Sequence, residues 1–268
     1  MKIIMISLSS LQKCFKKSLA DTELLFFDEL DSTNRYLKDY AKKRLDKAFC
    51  ITTHQTAGYG QRDRQWFNSS NSLTFSLLLP ISVAPDGLDG LTQLVALKLV
   101  ETLSDYTDQS LQIKWPNDIY INGKKVGGIL LEIPTFSSVQ SWLVVGIGLN
   151  IKTDAKTQLD AQIDSVNGGL IEFFSHDQTN ISQFLCDLVL NQEQLFENYR
   201  QGLFNDYLLN YHLVDYFSKD SRVIVYDNDQ NLTGLYKGLN AHGELQVLID
   251  DTLITYRSGS VSIRPFNY

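Results

Sequence analysis

The amino-acid sequence predicts an α+β protein, in which a large N-terminal unit of alternating strands and helices is followed by a small β-barrel. In the first unit, short apolar stretches with the alternation of β-strands are interleaved with stretches that have the apolar periodicity of helices. From about Asp215 onward, five short strand patterns follow one another at intervals of about ten residues, with turn-forming residues between them. That spacing is typical of a small barrel.

The first unit opens with a strand pattern and a capped helix. Leu24 to Phe27 is apolar and strand-like, and either Asp31 or Ser32 supplies the N-cap of the next helix. This helix is predicted from a shared apolar face, formed by Tyr36, Leu37, Tyr40, Ala41 and Leu45. Alternating apolar residues over 73–79 predict a further strand, and the leucine-rich segment 91–103 has no helix breaker.

The rest of the chain supplies one glycine-containing strand, one long helix and the barrel. Val144 to Ile151 is a strand pattern interrupted by two glycines, which suits the close approach of a ligand. Residues 152–179 are polar and are predicted to form a loop with short helical pieces. A strong amphipathic helix follows, with the stripe Ile181, Phe184, Leu185, Leu188, Leu195, Phe196 and Tyr199. The barrel strands are predicted at 222–226, 232–239, 245–249, 253–256 and 261–263.

Composition limits the function classes. A chain of 268 residues with 43% apolar residues can bury the core of one large and one smaller domain. A net charge of −7 and a pI of about 5.1 argue against nonspecific nucleic-acid binding, for which a basic face is expected. No apolar run is long enough to cross a membrane, and the N-terminus lacks a signal-peptide cleavage pattern. Cys14, Cys50 and Cys186 are expected to be ordinary thiols of a cytoplasmic protein.

The most informative segment is the run Lys114-Trp115-Pro116-Asn117-Asp118, followed shortly by Lys125-Val126-Gly127-Gly128-Ile129. Two strand patterns between them are joined by Asn122-Gly123, a strong hairpin signal because both turn positions need a positive φ. Lys114 therefore stands where a strand enters a proline-stiffened bend, near glycine backbone that a ligand can approach. This arrangement favours an anion site; the alternative is an exposed lysine beside an ordinary hairpin.

A second polar run extends from His54 to Trp66, between the strand-like stretches 48–51 and 73–77. Its glycines allow a ligand close to the backbone, its arginines match carboxylate or phosphate, and its tryptophan can stack on a planar base. The run lacks the third glycine of a dinucleotide fingerprint and the Gly-Lys-Ser/Thr ending of a P-loop. We therefore expect a ligand-binding loop of another kind, with a solvated surface loop as the alternative.

With these two runs, three further segments make the chain resemble the biotin protein ligases. They are Asp31-Ser32-Thr33-Asn34, the extension of the second lysine run to Leu130, and Gly146-Ile147-Gly148-Leu149-Asn150. The resemblance extends from about residue 25 to the C-terminus. It implies a central mixed β-sheet with flanking helices, of the class II synthetase-like biotin/lipoate ligase type, in residues 1–215. It also implies an SH3-like β-barrel in residues 216–268.

The resemblance further implies a two-step reaction. Biotin and ATP, accompanied by Mg²⁺, first give biotinyl-5′-AMP and pyrophosphate. A lysine of a biotin carboxyl carrier protein, such as that of acetyl-CoA carboxylase, then takes the biotinyl group. Some family members carry an N-terminal DNA-binding domain, but about 30 residues precede Asp31 here, so the monofunctional type is expected. No metal-binding cluster of residues is evident, and the sequence leaves a homodimer open.

Site residues follow from the same resemblance. The implied biotin contacts are Ser32, Thr33, Asn34, Gln55, Gly58, Tyr59, Gly60, Gln61, Lys114, Gly127 and Gly128. The implied ATP or adenylate contacts are Arg62, Arg64, Trp66, Asn117, Gly148 and Asn150. Lys114, Arg62 and Arg64 are expected to be catalytic, because two anions must approach one another during adenylation and need charge neutralisation.

The loop departs from the family pattern. Many members have arginine in place of Tyr59 and Gln61, and glycine in place of Asp63. These departures leave open an inactive biotin-binding regulatory module. A lipoate or octanoate ligase or transferase is a further alternative, because it shares the fold. Asp118 is interpreted as a cap of the bend, with a catalytic acid or Mg²⁺ ligand as the alternative. Arg264 is a candidate to face the site from the barrel.

Overall fold

The computed structural model describes residues 7–66, 72–82, 87–136, 141–151, 181–227, 230–259 and 261–266. Within these ranges the helices are α1 (Leu8–Ser18), α2 (Thr33–Ala41), α3 (Leu91–Ser104), α4 (Ile181–Glu197) and α5 (Leu203–Leu213). The first sheet contains β1 (Glu23–Leu30), β2 (Ala48–Gln55), β3 (Ser72–Ile81), β4 (Leu111–Lys114), β5 (Asp118–Ile121), β6 (Lys124–Phe136) and β7 (Ser141–Asn150). The second contains β8 (Arg222–Asp227), β9 (Gln230–Leu239), β10 (Leu245–Ile249), β11 (Thr252–Tyr256) and β12 (Val261–Pro265).

The seven-stranded sheet is mixed, as expected. Its order is β1-β2-β3-β7-β6-β5-β4, and β1 pairs with β2 in parallel while the other neighbours are antiparallel. Parallel neighbours need a crossover connection, which α2 provides between β1 and β2. The five-stranded sheet is antiparallel, with the order β11-β10-β9-β8-β12, and is consistent with an SH3-like domain.

The two faces of the mixed sheet differ in what they carry. One face packs against α3 and α4, and its alternate residues Phe75, Leu77, Val145 and Ile147 belong to the main hydrophobic core. The other face carries α2 over a small cluster that includes Leu37, Cys50 and Val144. We call this second face the α2 face. Because strand side chains alternate, its next positions are the small or polar Thr74, Ser76, Gly128, Gly146 and Gly148.

The second sheet is joined to the first through the lysine–tryptophan–proline bend. The Trp115 indole is buried, and its Nε1 donates to the carbonyl of Gly243 at 3.0 Å, in the turn between β9 and β10. Asp215 forms a bridge with Ile113 on β4. The main hydrophobic core runs from one sheet into the other. The domain boundary after residue 215 therefore stays a prediction.

Several expectations about elements need correction. The helix α1 was missed, because the apolar start of the chain resembles a signal peptide. In the structure, one side of α1 is buried through Leu11 and Phe15. The helix α5 was missed too. Leu45 is not part of α2, which ends at Ala41, and Leu45 is 47% exposed. The loop predicted at 152–179 lies outside the described residues.

The expectation of three free thiols is wrong for two of them. Cys14 on α1 and Cys186 on α4 form a disulfide, and Cys50 is free and buried. The two bonded cysteines are separated by 172 residues, so their pairing arises from the packing of α1 against α4 and leaves no local sequence signal. Among the described residues, no helix is long and apolar enough to cross a membrane.

The Asn122-Gly123 hairpin turn is confirmed, with φ values of 49° and 74°. A Cβ at Gly123 would meet no atom within 4 Å, so its conformation alone decides the effect of a substitution. We expect Gly123→Ala to lower the free energy of unfolding by about 1 kcal/mol, because L-residues disfavour a left-handed backbone. Gly123→Asn should cost less, since asparagine tolerates this region. Urea unfolding measures both; an unchanged alanine variant would show that the turn is not strained.

Candidate functional site

The Asp31-Ser32-Thr33-Asn34 run forms the start of α2. Ser32 is the N-cap, and its Oγ accepts a hydrogen bond from the backbone N–H of Arg35 at 3.4 Å. Asp31 is therefore not the cap. Its carboxylate pairs with the Arg35 guanidinium at 2.6 Å, and this contact holds the pKa of Asp31 below its ordinary value.

Four buried polar side chains link the start of α2 to β2 and β3. The backbone N–H and Oγ1 of Thr33 both donate to Gln55 Oε1, at 2.8 Å and 3.1 Å. The Ser76 Oγ lies 2.7 Å from Thr33 Oγ1 and 2.5 Å from Asn34 Oδ1. The predicted biotin contacts Thr33, Asn34 and Gln55 thus form one connected group, and Ser76 is an additional member that the sequence did not reveal.

Asn34 lies directly on the sheet because Gly146 has no side chain. A Cβ at Gly146 would overlap the Asn34 amide. The Nδ2 of Asn34 donates to Glu132 Oε2 at 2.8 Å, on β6. Glycine is needed here for close approach rather than for an unusual φ.

The predicted ligand loop folds back on itself. Tyr59 forms an antiparallel bridge with Gln65, and the Gln61–Asp63 segment between them is a 3₁₀ turn. The Tyr59 hydroxyl donates to Glu132 Oε2 at 2.7 Å, which fixes the loop to β6. Gly58 is buried, and a Cβ there would lie 2.6 Å from Gln55 Nε2.

Trp66 closes over a floor made of glycine backbone. A Cβ at Gly148 would overlap the Trp66 indole, and one at Gly128 would lie 3.3 Å from it. The indole Nε1 is buried, as is Thr74 Oγ1 opposite Gly148, and neither has a hydrogen-bond partner among the residues that the structure describes. A bound polar group at this floor would satisfy both.

The cation beside this floor is Lys125. Its Nζ lies 5.9 Å from the Trp66 ring centroid and 2.6 Å from Asp118 Oδ1. Lys125 and Gly128 are three residues apart, so in a regular strand they would face opposite sides. Ile119 lies opposite Gly127 but Tyr120 lies opposite Lys125, so β6 has a β-bulge at this point. The bulge brings Lys125 and Gly128 to the same side, the α2 face.

Lys114 reaches the same face from the edge strand. In the strand register, Lys114 on β4 lies opposite Asp118 on β5, and Asp118 lies opposite Gly128 on β6. The Lys114 Nζ, however, lies over the rings of Tyr120 and Tyr216, at 5.7 Å and 5.6 Å from their centroids. Lys114 is therefore in the right row of the sheet but one strand further from the glycine floor than Asp118.

Two of the other predicted contacts, Arg62 and Gly127, point away from the floor. The Arg62 Nε donates to the carbonyl of Gly259 at 3.0 Å, in the turn between β11 and β12, and the Arg64 side chain is exposed. Gly127 faces the core, where a Cβ would lie 2.6 Å from Leu149. Of the predicted glycine pair, Gly128 is the member on the α2 face.

The predicted asparagine contacts are engaged in holding strands together. The Nδ2 of Asn117 donates to the Ile129 carbonyl at 2.6 Å, and that of Asn150 donates to the Lys125 carbonyl at 3.5 Å. The Asp118 carboxylate pairs with the Lys125 ammonium through Oδ1, and its role as a cap of the bend stays a prediction.

Arg264, a candidate to face the site, lies with its guanidinium 4.5 Å from the Tyr226 ring centroid, within the second sheet. Among the described residues, no group of three or more histidine, cysteine or acidic side chains is arranged to hold a metal ion.

Three site residues were missed by sequence reasoning, and two of them had a signal. Glu132 and Ser76 are polar residues within otherwise apolar strand patterns, which marks positions facing something other than the core. Lys125 was part of a recognised motif without a role. Its direction depends on the bulge in β6, for which the sequence has no clear mark.

Comparisons with known proteins agree with this architecture. A model of the biotin/lipoate A/B protein ligase family matches residues 26–150. The bifunctional ligase/repressor BirA of Escherichia coli (strain K12) is 27% identical over 241 residues, covering 88% of this chain and 72% of that protein. The biotin–[acetyl-CoA-carboxylase] ligase of Paracoccus denitrificans is 33% identical over 123 residues, which are 45% of this chain and 51% of that protein.

The fold comparison extends over more of the chain. The structure of a biotin protein ligase from Aquifex aeolicus in complex with biotin and ATP superposes with a TM-score of 0.71 and 25% sequence identity. It covers 91% of this chain and 99% of that chain. The family match spans the segments from β1 to β7 that build the α2 face. In sequence and in fold, the chain is similar to the biotin/lipoate A/B protein ligase family, and within it to the biotin protein ligases.

Proposed function

We propose that this protein is a biotin ligase, which converts biotin and ATP to biotinyl-5′-AMP and then transfers the biotinyl group to a lysine of a biotin carboxyl carrier protein. The carrier would belong to acetyl-CoA carboxylase or a similar biotin-dependent enzyme. The observation that carries the proposal is the continuous polar surface of the α2 face, from the Asn34 group to the glycine floor beside Lys125.

The group around Asn34 suits the ring of biotin. A ureido ring offers two N–H donors and one carbonyl acceptor, and the connected side chains of Thr33, Asn34, Gln55 and Ser76 contain both donors and acceptors. Their burial removes competing water, which strengthens hydrogen bonds to a ligand. The acyl chain would then run alongside the Trp66 indole, which packs on Gly148 and Gly128.

The floor suits the adenylation step. The biotin carboxylate attacks the α-phosphorus of ATP, an acyl–phosphate bond forms, and pyrophosphate leaves. The anions that approach one another need fixed positive charge, and Lys125 supplies it at the floor, with Lys114 further along the same row. Mg²⁺ would arrive on the polyphosphate, and Asp118 is the carboxylate at the floor that suits its oxygen preference.

Two unpartnered polar groups support an occupied floor. A buried donor without a partner costs about 1–3 kcal/mol. Among the residues that the structure describes, Thr74 Oγ1 and Trp66 Nε1 both lack a partner beside Gly148. A ligand or water that bonds to them would recover part of this cost.

Arg62 and Arg64 favour keeping the inactive module as a second candidate. The Arg62 guanidinium is bonded to the Gly259 carbonyl, and the Arg64 side chain is exposed. Arg62 would have to leave Gly259 to take the catalytic role expected of it.

The direct test is formation of biotinyl-5′-AMP from biotin and Mg-ATP, followed by mass spectrometry, with lipoate and octanoate in parallel. Adenylate from biotin alone, and biotinylation of an added carrier domain, are expected. Adenylate from lipoate or octanoate instead would reassign the substrate. Biotin binding without any adenylate would favour the inactive module.

The two lysines make distinct predictions for adenylation. Lys125→Ala should lower the rate by about 100-fold or more, the size expected when one charge-stabilising group is removed. Lys114→Ala should have a smaller effect, because its ammonium lies over Tyr120 and Tyr216. The matched control is Lys124→Ala, the neighbouring lysine. Single-turnover kinetics measures all three; a Lys125→Ala rate within about threefold of wild type, under ~1 kcal/mol, would exclude this role.

The two loop glycines are also expected to differ. Gly58→Ala places a Cβ 2.6 Å from Gln55 Nε2 and 3.1 Å from the Trp66 carbonyl, so it should weaken biotin binding by about tenfold, or ~1.4 kcal/mol. Gly60 is extended at φ −118°, and its nearest neighbour would be 3.8 Å away. Gly60→Ala should bind biotin like wild type. Isothermal titration calorimetry compares them, and equal affinities would mean that Gly58 does not shape the pocket.

A further inference from the structure

Glu132 connects three parts of the site. Its Oε2 accepts hydrogen bonds from Asn34 Nδ2 at 2.8 Å and from the Tyr59 hydroxyl at 2.7 Å. Its Oε1 accepts from Lys38 Nζ at 2.6 Å. One carboxylate on β6 therefore holds the start of α2, the middle of α2 and the glycine loop together.

Glu132 is ionised in this setting. Burial by itself would raise the pKa of its carboxyl, but the hydrogen bonds from Lys38, Tyr59 and Asn34 outweigh burial and hold that pKa below its ordinary value. An ionised carboxylate only accepts hydrogen bonds. The Asn34 amide must therefore present Nδ2 to Glu132, which leaves Oδ1 facing the Ser76 hydroxyl.

The same carboxylate completes a chain of hydrogen bonds that connects Gln55 to Tyr59. Gln55, the last residue of β2, is bonded to Thr33, and Thr33 continues through Ser76 to Asn34. Glu132 completes the path from Asn34 to Tyr59, four residues after Gln55. Both ends of this short segment are thereby held to the α2 face.

The Tyr59 ring adds a second attachment to α2. The Lys38 Nζ lies 5.4 Å from the ring centroid and the Arg35 guanidinium lies 5.6 Å from it. Cations at these distances are attracted to the ring face. The hydroxyl and the ring of Tyr59 therefore both fix the loop in the position seen here.

We propose that Glu132 is a positioning residue of the acyl-adenylate site, which orients the Asn34 amide and holds the glycine loop closed through Tyr59, so that the acyl-adenylate is retained. This inference rests on the proposed function. Tyr59 takes the role of a latch that holds the loop to β6. Where many family members have a charged arginine, this latch is an uncharged side chain that donates a hydrogen bond to Glu132.

The first experiment compares Tyr59→Phe with Tyr40→Phe. Tyr40 lies on α2, and its hydroxyl, like that of Tyr59, donates to a glutamate, in this case Glu23 at 2.6 Å, but this pair is outside the site. Tyr59→Phe should release biotinyl-5′-AMP about tenfold faster, because it loses a hydrogen bond to a charged group. Tyr40→Phe should release it at the wild-type rate. Equal release from Tyr59→Phe and wild type would overturn the latch.

The second experiment separates hydrogen bonding from charge. Because Asn34 and Tyr59 share Oε2, a glutamine at 132 keeps their acceptor as its carbonyl oxygen, while its NH₂ group faces the Lys38 ammonium. Glu132→Gln should therefore raise KM for biotin several-fold with little change in kcat. Adding Lys38→Met removes the opposed donor and should restore KM. A double variant as impaired as Glu132→Gln, with wild-type Tm, would refute the positioning role.

A third readout does not need catalysis. Trypsin cuts after Arg62 and Arg64 in the loop, so opening of the latch should speed cleavage there in Tyr59→Phe and not in Tyr40→Phe. If wild type forms no adenylate but this difference in cleavage is seen, the proposed function fails while the latch stands. If adenylate forms and cleavage of both variants matches wild type, the latch fails alone.

Discussion

The site depends on two positions of β7 where no side chain is present. Gly146 and Gly148 both lie on the α2 face. A Cβ at Gly146 would overlap the Asn34 side chain, and one at Gly148 would overlap the Trp66 indole. The neighbouring strands extend this floor, with Ser76 opposite Gly146 and Gly128 opposite Gly148. The helix start and the loop can therefore approach the backbone of the sheet itself, and the remaining contacts of the site follow from that closeness.

Such an incompletely packed face is tolerated because the opposite face of the same sheet stabilises the fold. The large core beneath α3 and α4 contains most of the buried apolar side chains, whereas the α2 face has a small cluster near Leu37. Burial of apolar area is the dominant favourable term in folding. Thr74 Oγ1 and Trp66 Nε1, which have no hydrogen-bond partner in the described part of the chain, are then a local cost that the fold can bear.

The second sheet contributes to the site through its turns and through the segment that precedes its first strand. Trp115 of the lysine–tryptophan–proline run bonds to Gly243, and Tyr216 lies against Tyr120 and beneath the Lys114 ammonium. Arg62 of the loop reaches Gly259. The lysine–tryptophan–proline bend thus joins the two sheets. This structural role accounts for residues of the run that do not face the glycine floor.

The sequence by itself determined the order and type of most elements, the hairpin at Asn122-Gly123 and the family resemblance, because periodicity, caps and turn residues act over a few positions. Tertiary structure alone decided which side each residue faces. The bulge in β6 places Lys125 at the floor, Gly127 packs against Leu149, and Cys14 meets Cys186 across 172 residues. Register shifts and long-range packing depend on the relative positions of whole elements, for which a local pattern carries no information.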